Sequence, residues 1–158
     1  MLRAGAPEPW QPLRDHLGSA SLGTLVLLAA SVAFTVAVRA ARAGRVMPLP
    51  SGLMAFLFAS VFFAFAFCAN KASDYFDFFE QHLGPAANTQ MATYFLLTGV
   101  HLLHVVGGIL VSVWLMLTAS KTWREAAPVV INRLEATALY WYFVDVVWLI
   151  MLVLLYVA

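Results

Sequence analysis

Four long apolar stretches, separated by shorter polar ones, limit what this chain can fold into. They cover about residues 21–38, 53–69, 91–117 and 134–157. About 20 apolar residues in an α-helix cross the hydrocarbon core of a bilayer, and lipid offers no partner for unpaired backbone groups. The sequence therefore predicts an all-α membrane protein, with a polar tail at 1–19 and a four-helix transmembrane bundle at 20–158.

The composition agrees with a membrane protein. Of the 158 residues, 63% are hydrophobic and 11% are charged, whereas soluble domains are about half apolar and about a quarter charged. A net charge of +1 gives no support to nucleic-acid binding. The single cysteine, Cys68, excludes an internal disulfide framework or a cysteine-rich metal site. Residues 1–19 lack the apolar core of a secretory signal peptide.

The polar segments between the stretches predict the orientation in the membrane. The second connection is interpreted as a polar loop carrying Lys71, Asp74, Asp77, Glu80 and His82, and the third as a loop carrying Lys121, Arg124, Glu125, Pro128, Asn132 and Arg133. The first and third connections carry six lysines and arginines, against three in the second connection and the tail. Because positive charge favours the cytoplasmic side, we expect an inner-membrane protein with both termini on the periplasmic side.

Three polar residues within the stretches are candidates for function, since polar groups are expensive in lipid. His101 and His104 share a helix face, and Asp145 is expected at the same depth as His104. One hypothesis is an imidazole–carboxylate hydrogen bond between His104 and Asp145. A metal or haem site and a proton relay are alternatives, but two histidines and one aspartate fall short of a structural zinc site. Hydrogen bonding to neighbouring helices or lipid is the interpretation we favour.

Glu135 and Tyr142 are seven residues apart and share a face of the fourth helix. Glu135 is interpreted as part of an interfacial ion pair, close in sequence to Arg133, with a lipid headgroup or partner contact as the alternative. The sequence shows no nucleophile–base pair, phosphate-binding glycine loop or paired catalytic carboxylates. We therefore predict no catalytic, cofactor-binding or metal-binding residue in this chain.

The two long motifs of the C-terminal half resemble a known family. Residues 94–108 read YFLLTGVHLLHVVGG, and residues 133–148 read RLEATALYWYFVDVVW. Together they resemble cytochrome c oxidase subunit III, whose last two helices carry the patterns T-G-x-H-x-x-H-V-x-x-G and E-A-x-x-x-Y-W-x-F-V-D-V-V-W. The segment at 71–77 resembles the acidic, aromatic segment that precedes them, and residues 22–28 resemble the start of an earlier family helix.

The chain departs from the family pattern in three respects. Subunit III usually has seven helices, or five in shorter bacterial forms, and this chain resembles the last four. The buried glutamate of the preceding family helix has no counterpart before Asp74. Tyr142 stands where the family commonly has histidine. The chain is therefore expected to be a shortened subunit, a fragment with a misplaced start, or one half of a split subunit.

The resemblance implies a non-catalytic, accessory subunit of a respiratory haem-copper oxidase. It would pack on oxidase subunits I and II, hold phospholipid, and support assembly and sustained proton-coupled oxygen reduction. The family has no redox centre in subunit III, so haem and copper are expected in the partner subunits. His101, His104, Glu135, Tyr142 and Asp145 would then be structural or lipid-associated. An accessory subunit of a nitric oxide reductase is the nearest alternative, and an independent membrane transporter or haem-binding protein is a more remote one.

Overall fold

The chain folds into long helices in a computed structural model, which describes Leu13, residues 16–43 and residues 51–157. Helix α1 spans Leu17–Ala43, α2 spans Ser51–Glu80 and α3 spans Thr89–Leu152, and a short π-helix follows at Val153–Val157. No strand occurs in the described ranges. Four helical segments are long and apolar enough to cross a membrane: Leu17–Ala43, Gly52–Glu80, Thr89–Ala119 and Lys121–Tyr156. The predicted all-α membrane bundle is confirmed.

Helix α3 holds two of these four segments because it bends in the middle. Ala126 has non-helical backbone angles, with φ −155° and ψ 70°, and Pro128 follows two residues later. Proline has no N–H for the helical hydrogen bond, and its ring clashes with the carbonyl four residues back, so it kinks a helix. The kink divides α3 into a first arm, residues 89–125, and a second arm, residues 127–152.

Both segments that were predicted as polar loops are largely helical, so that prediction is wrong. Lys71, Asp74, Asp77 and Glu80 belong to α2, and the six polar residues from Lys121 to Arg133 lie within α3. A single non-helical residue is enough to turn α3, so no loop is needed there. In α2, opposite charges three residues apart lie on one helix face and can pair, which allows the helix to continue past its apolar stretch.

The turn between α2 and α3 is short and well capped. His82 adopts a positive φ of 56° just after α2 ends. Asn88 caps α3, because its side-chain oxygen accepts a hydrogen bond from the Met91 amide at 2.7 Å, which satisfies one of the free N–H groups at the helix start. This turn, the start of α1 and Tyr156 lie near the same end of the bundle, called here the Lys71 end. The opposite end, with Arg42 and the kink, is called the Arg42 end.

Helix packing depends on small residues at two points of close approach. A Cβ atom added to Gly23 would lie 2.8 Å from Asn70 Oδ1 on α2. A Cβ atom added to Gly108, in the first arm, would lie 2.9 Å from the Trp141 ring of the second arm. Both distances are shorter than ordinary contacts, so these helices pack closely only because glycine is present.

The outer surface of the bundle is strongly apolar. Many large side chains are more than half exposed, among them Leu25, Phe58, Phe65, Phe76, Leu103, Leu110, Leu117 and Leu139. Such a surface suits hydrocarbon rather than water. The chain is a multi-pass membrane protein.

Candidate functional site: polar groups within the bundle

A buried ion pair lies at the Lys71 end. Lys71 Nζ donates to Asp74 Oδ2 at 2.5 Å, and the exposed fractions of the two side chains are 0% and 3%. The second carboxylate oxygen, Asp74 Oδ1, accepts a hydrogen bond from the Ser19 hydroxyl at 2.5 Å and lies 3.7 Å from His16 Nδ1. The carboxylate of α2 therefore also holds the start of α1.

Aromatic groups complete the surroundings of the lysine. Lys71 Nζ donates to the Tyr156 hydroxyl at 3.4 Å, and Tyr156 donates to the Tyr94 hydroxyl at 3.2 Å. The ammonium group also lies 5.1 Å from the Trp148 ring centroid, within the range of a cation–π interaction. Lys71 thus links α2 to the second arm of α3 and to the π-helix, and Tyr156 extends the link to Tyr94 of the first arm. These partners compensate part of the cost of burying a charge, which is high when the charge is unpaired.

Sequence reasoning missed this cluster, because it placed Lys71 and Asp74 in a loop. A helical pattern was nonetheless visible. Phe67, Lys71, Asp74 and Phe78 recur at intervals of four, three and four residues, and all four are buried. That spacing is typical of one face of a helix. Phe67 and Phe78, on either side of the charged pair, were therefore the signal in the sequence that Lys71 and Asp74 lie on the buried face of a helix.

His101 lies in the bundle interior, 3% exposed. Its ring stacks on Trp148, with centroids 5.1 Å apart, and meets the edge of Phe67 at 5.8 Å. Trp148 in turn donates from Nε1 to the Thr24 hydroxyl at 2.9 Å. His101 Nε2 has no hydrogen-bond partner among the described residues. The contacts of His101 are therefore mainly aromatic, and they join α2 to both arms of α3.

His104 and Asp145 do not form the predicted pair. His104 is exposed on the surface of the first arm, and its Nδ1 lies 2.8 Å from the Val100 carbonyl oxygen of its own helix. Asp145 is 7% exposed, and its Oδ1 has no hydrogen-bond partner among the described residues. The two residues lie at similar depth, but their side chains lie on different sides of the α3 hairpin, because Asp145 is directed towards α1.

Asp145 lies beside Ser31 of α1. Neither Ser31 Oγ nor Asp145 Oδ1 has a hydrogen-bond partner that meets standard geometry in the described part of the chain. Both side chains are buried. Ser31 and Asp145 therefore meet without a well-formed hydrogen bond, although an unpaired polar atom in such a position costs free energy.

The ion pair of Glu135 is present, but its partner is on another helix. Arg42 Nε, in the last turn of α1, donates to Glu135 Oε1 at 2.7 Å. Arg133 instead lies with its guanidinium 5.1 Å from the Trp114 ring centroid. Sequence reasoning considered Arg133 because it is near in the chain, whereas Arg42 comes close only when α1 packs on the second arm.

Tyr142 continues the same line of contacts between α1 and the second arm. Its hydroxyl lies 2.7 Å from the Thr35 hydroxyl. Glu135 and Tyr142 share one helix face, as predicted from their spacing, and that face is directed towards α1. Both contacts are exposed at the bundle surface, so lipid or a partner chain has access to them.

Two crevices flank the Arg42–Glu135 pair. One is lined by Arg42, Ala127, Pro128, Ile131, Asn132 and Glu135. The other is lined by residues of α1 and the second arm, including Thr35, Arg39, Arg42 and Tyr142. Two arginines, an asparagine and a carboxylate thus lie beside apolar residues in these crevices.

The described residues contain no group of three or more histidine, cysteine, aspartate or glutamate side chains placed to hold a metal ion. His101 and His104 are three residues apart on one helix. The ring of His101 points into an aromatic interior, whereas that of His104 is hydrogen-bonded to the Val100 carbonyl oxygen. The geometry of these two residues does not suit a shared metal or haem.

Comparison with protein families identifies the chain. The family model for cytochrome c oxidase subunit III matches residues 9–158. The chain belongs to this family. Bacterial relatives of subunit III include a probable cytochrome c oxidase subunit 3 from Nocardia farcinica, 28% identical over 149 residues, which covers 93% of this chain and 70% of that protein.

Two further relatives of this subunit III chain are named for two different oxidases. A cytochrome c oxidase subunit 3 from Synechocystis sp. is 36% identical over 90 residues, or 54% of this chain and 36% of that protein. A cytochrome bo(3) ubiquinol oxidase subunit 3 from Pseudomonas aeruginosa is 25% identical over 134 residues, or 84% of this chain and 61% of that protein. The chain thus spans only part of the length of these relatives.

Proposed function

We propose that this subunit III chain is an accessory, non-redox subunit of a respiratory haem-copper terminal oxidase. The family match over residues 9–158 is the observation that carries the proposal. Relatives named as subunits of cytochrome c oxidase and of a ubiquinol oxidase support it. The partners would be oxidase subunits I and II, which would hold the haem and copper, and the chain would support assembly and sustained proton-coupled oxygen reduction.

The five residues singled out in the sequence would have structural or lipid-associated roles. His101 joins helices through aromatic stacking, and Tyr142 and Glu135 contact α1. Asp145 is buried near Ser31, and His104 lies at the membrane-facing surface. The side chains of His101, Glu135 and Tyr142 contact neighbouring helices, whereas that of His104 bonds to its own helix. The contacts between helices support a subunit that is built for packing rather than chemistry.

Phospholipid would bind at the Arg42 end. Arg42 offers donors beside Glu135. The first crevice continues along apolar residues of the second arm, and the other along apolar residues of both α1 and the second arm. Arginine pairs well with phosphate through two parallel hydrogen bonds. Under the proposed orientation this end faces the cytoplasm, so the lipid would come from the inner leaflet.

Purification of the assembled complex tests the oxidase role. The chain, carrying an affinity tag, is extracted from its own host membranes in mild detergent, and copurifying proteins are identified by mass spectrometry. We expect oxidase subunits I and II and an optical spectrum of haem, with copper by elemental analysis. Haem with non-haem iron would assign a nitric oxide reductase instead. A haem spectrum from the chain alone would contradict a non-redox role.

Native mass spectrometry tests the lipid site. We expect Arg42→Gln to lose a phospholipid that the unmodified complex retains, because the arginine would hold the headgroup. Arg124→Gln is the matched control, since Arg124 is an exposed arginine at the same end but lines neither crevice. Equal lipid retention in both variants would exclude binding at this place.

A further inference from the structure

A groove runs along the crease between the two arms of α3, on the surface of the bundle. Its upper part, about 380 Å³, is lined by Leu97, Val100, His104, Phe143 and Val147, among others. A second hollow continues it towards the Arg42 end, between Gly107 and Val111 of the first arm and Ala136 and Tyr140 of the second. The lining is mostly apolar. Its polar members are His101, Thr137, Tyr140 and His104, and of these four His104 is the exposed one.

The two hollows share no lining residue, but they lie in line along one groove, because the residues that each arm contributes recur on one helix face. Leu97, Val100, His104, Gly107 and Val111 recur at intervals of three or four residues, which is the spacing of one face. From Leu97 to Val111 the helix rises about 21 Å. The groove therefore extends over most of the hydrocarbon core, which is about 30 Å thick.

His104 offers an unused hydrogen-bond acceptor in this groove. Its Nδ1 lies 2.8 Å from the Val100 carbonyl oxygen. A carbonyl oxygen can only accept, so the single hydrogen of the neutral ring is on Nδ1 and leaves Nε2 as an acceptor. None of the hydrogen bonds found among the described residues involves Nε2. The ring is held in place by this bond, and the Tyr140 hydroxyl donates to the His104 carbonyl oxygen at 2.8 Å.

The depth of His104 restricts what can satisfy that acceptor. His104 is the middle residue of the span Thr89–Ala119, so it lies about 22 Å along the helix from either end. Phospholipid headgroups are outside the hydrocarbon core and do not reach that depth, and acyl chains have no donor. The donor must therefore be part of something that itself enters the middle of the membrane.

We propose that this groove receives one transmembrane helix of a partner oxidase subunit, an inference that rests on the proposed role as an accessory subunit. A hydroxyl, amide or indole donor on that helix bonds to His104 Nε2. The length of the groove matches a membrane-spanning helix. The hollow towards the Arg42 end is lined in part by the small residues Gly107 and Ala136. Small residues let the backbone of a second helix approach closely. The histidine sets the register of that helix, since only one depth satisfies it.

Site-specific photo-crosslinking in the intact complex tests this docking surface. The photoreactive residue p-benzoylphenylalanine replaces Val100, which lines the groove and is 47% exposed, or Val106, which is 43% exposed on another face of the same arm. The full chain is expressed in its own host, irradiated in membranes and then purified. Crosslinked peptides are identified by mass spectrometry, and their yield is expressed relative to the chain recovered in the complex.

We expect the Val100 position to crosslink to a transmembrane segment of a copurified oxidase subunit that carries a donor side chain, and the Val106 position not to reach that segment. Adding His104→Phe, which keeps an aromatic ring without the acceptor, lowers the yield at Val100 about threefold, as for loss of one membrane hydrogen bond. Adding His104→Gln, which retains an acceptor, preserves most of it.

Four results would overturn the inference while the chain still copurifies with the oxidase. They are crosslinks from Val100 only to lipid or another small membrane-soluble molecule, crosslinks only to a second copy of this chain, equal yields at Val100 and Val106, and an unchanged yield with His104→Phe. If no oxidase subunit copurifies at all, the proposed function itself fails, and the inference fails with it.

Discussion

At the scale of single residues, the buried Lys71–Asp74 pair is the most consequential feature. A carboxylate that accepts from Lys71 and Ser19 holds the start of α1 against α2, and Lys71 extends the network to Tyr156. A buried pair is not automatically stabilising, but removing one partner leaves the other charge uncompensated. The two charges should therefore behave as a unit under mutation.

Lys71→Met is expected to lower the free energy of unfolding by about 3–5 kcal/mol, because Asp74 would remain buried without its main partner. Thermal unfolding of the detergent-solubilised protein measures the loss. The double variant Lys71→Met with Asp74→Leu is expected to recover most of it. Asp77→Asn is the control, since Asp77 is exposed on the same helix, and a loss equal to that of Lys71→Met would rule out a specific role for the buried pair.

Asp145→Asn is expected to leave stability unchanged within about 1 kcal/mol, or to raise it. Asp145 Oδ1 has no hydrogen-bond partner among the described residues, and an amide of the same shape removes a charge that is expensive to bury. The same unfolding measurement applies. A fall of several kcal/mol would instead reveal a bonded partner for the carboxylate, such as the neighbouring Ser31.

At the scale of elements, the sequence predicted which segments are helical more reliably than where each helix ends. Apolar length marks the part of a helix inside hydrocarbon, but α2 continues to Glu80 and the α3 hairpin keeps a helical backbone on either side of Ala126. Two features leave little trace in a hydropathy profile: charges that pair within a helix, and a turn made by a single residue, here Ala126, two positions before Pro128. Loops were therefore predicted where helix continues.

Gly108→Ala is expected to lower the free energy of unfolding by about 1–3 kcal/mol, the usual cost of overpacking. The added methyl would lie 2.9 Å from Trp141 and 3.2 Å from Tyr140, so the two arms would have to separate. Gly107→Ala is the matched control, because its nearest atom would be 3.7 Å away. Its stability should be unchanged or higher by up to about 1 kcal/mol, from alanine's helix propensity. Equal losses in the two variants would contradict close packing at Gly108.

At the scale of the whole molecule, the helices form an antiparallel set in which α1 lies against both α2 and the second arm of α3. Thr24, Thr35 and Arg42 successively contact Trp148, Tyr142 and Glu135 along this interface. The orientation of the bundle in the membrane remains a prediction from the lysine and arginine counts, and it assigns the Arg42 end to the cytoplasm.

Cysteine labelling is expected to place the two ends on opposite sides of the membrane. In a Cys68→Ala background, Gln81→Cys puts a thiol in the turn at the Lys71 end, and Arg124→Cys puts one near the kink; both positions are exposed. A membrane-impermeant maleimide is added to cells in which only the outer membrane is permeabilised, and it should label Gln81→Cys but not Arg124→Cys. Arg124→Cys should be labelled once the inner membrane is also opened. The reverse order would invert the proposed orientation.

The sequence by itself determined the membrane class, the number of spans and the family, because hydrophobic length and two continuous motifs are local properties of the chain. Only the tertiary structure decided which polar groups meet. Arg42 and Glu135 are 93 residues apart, and Ser19 and Asp74 are 55 apart. Such partners depend on the rotation of each helix about its axis, which side-chain packing sets. For the same reason His104 faces the groove and Asp145 faces α1, although their depths in the membrane agree.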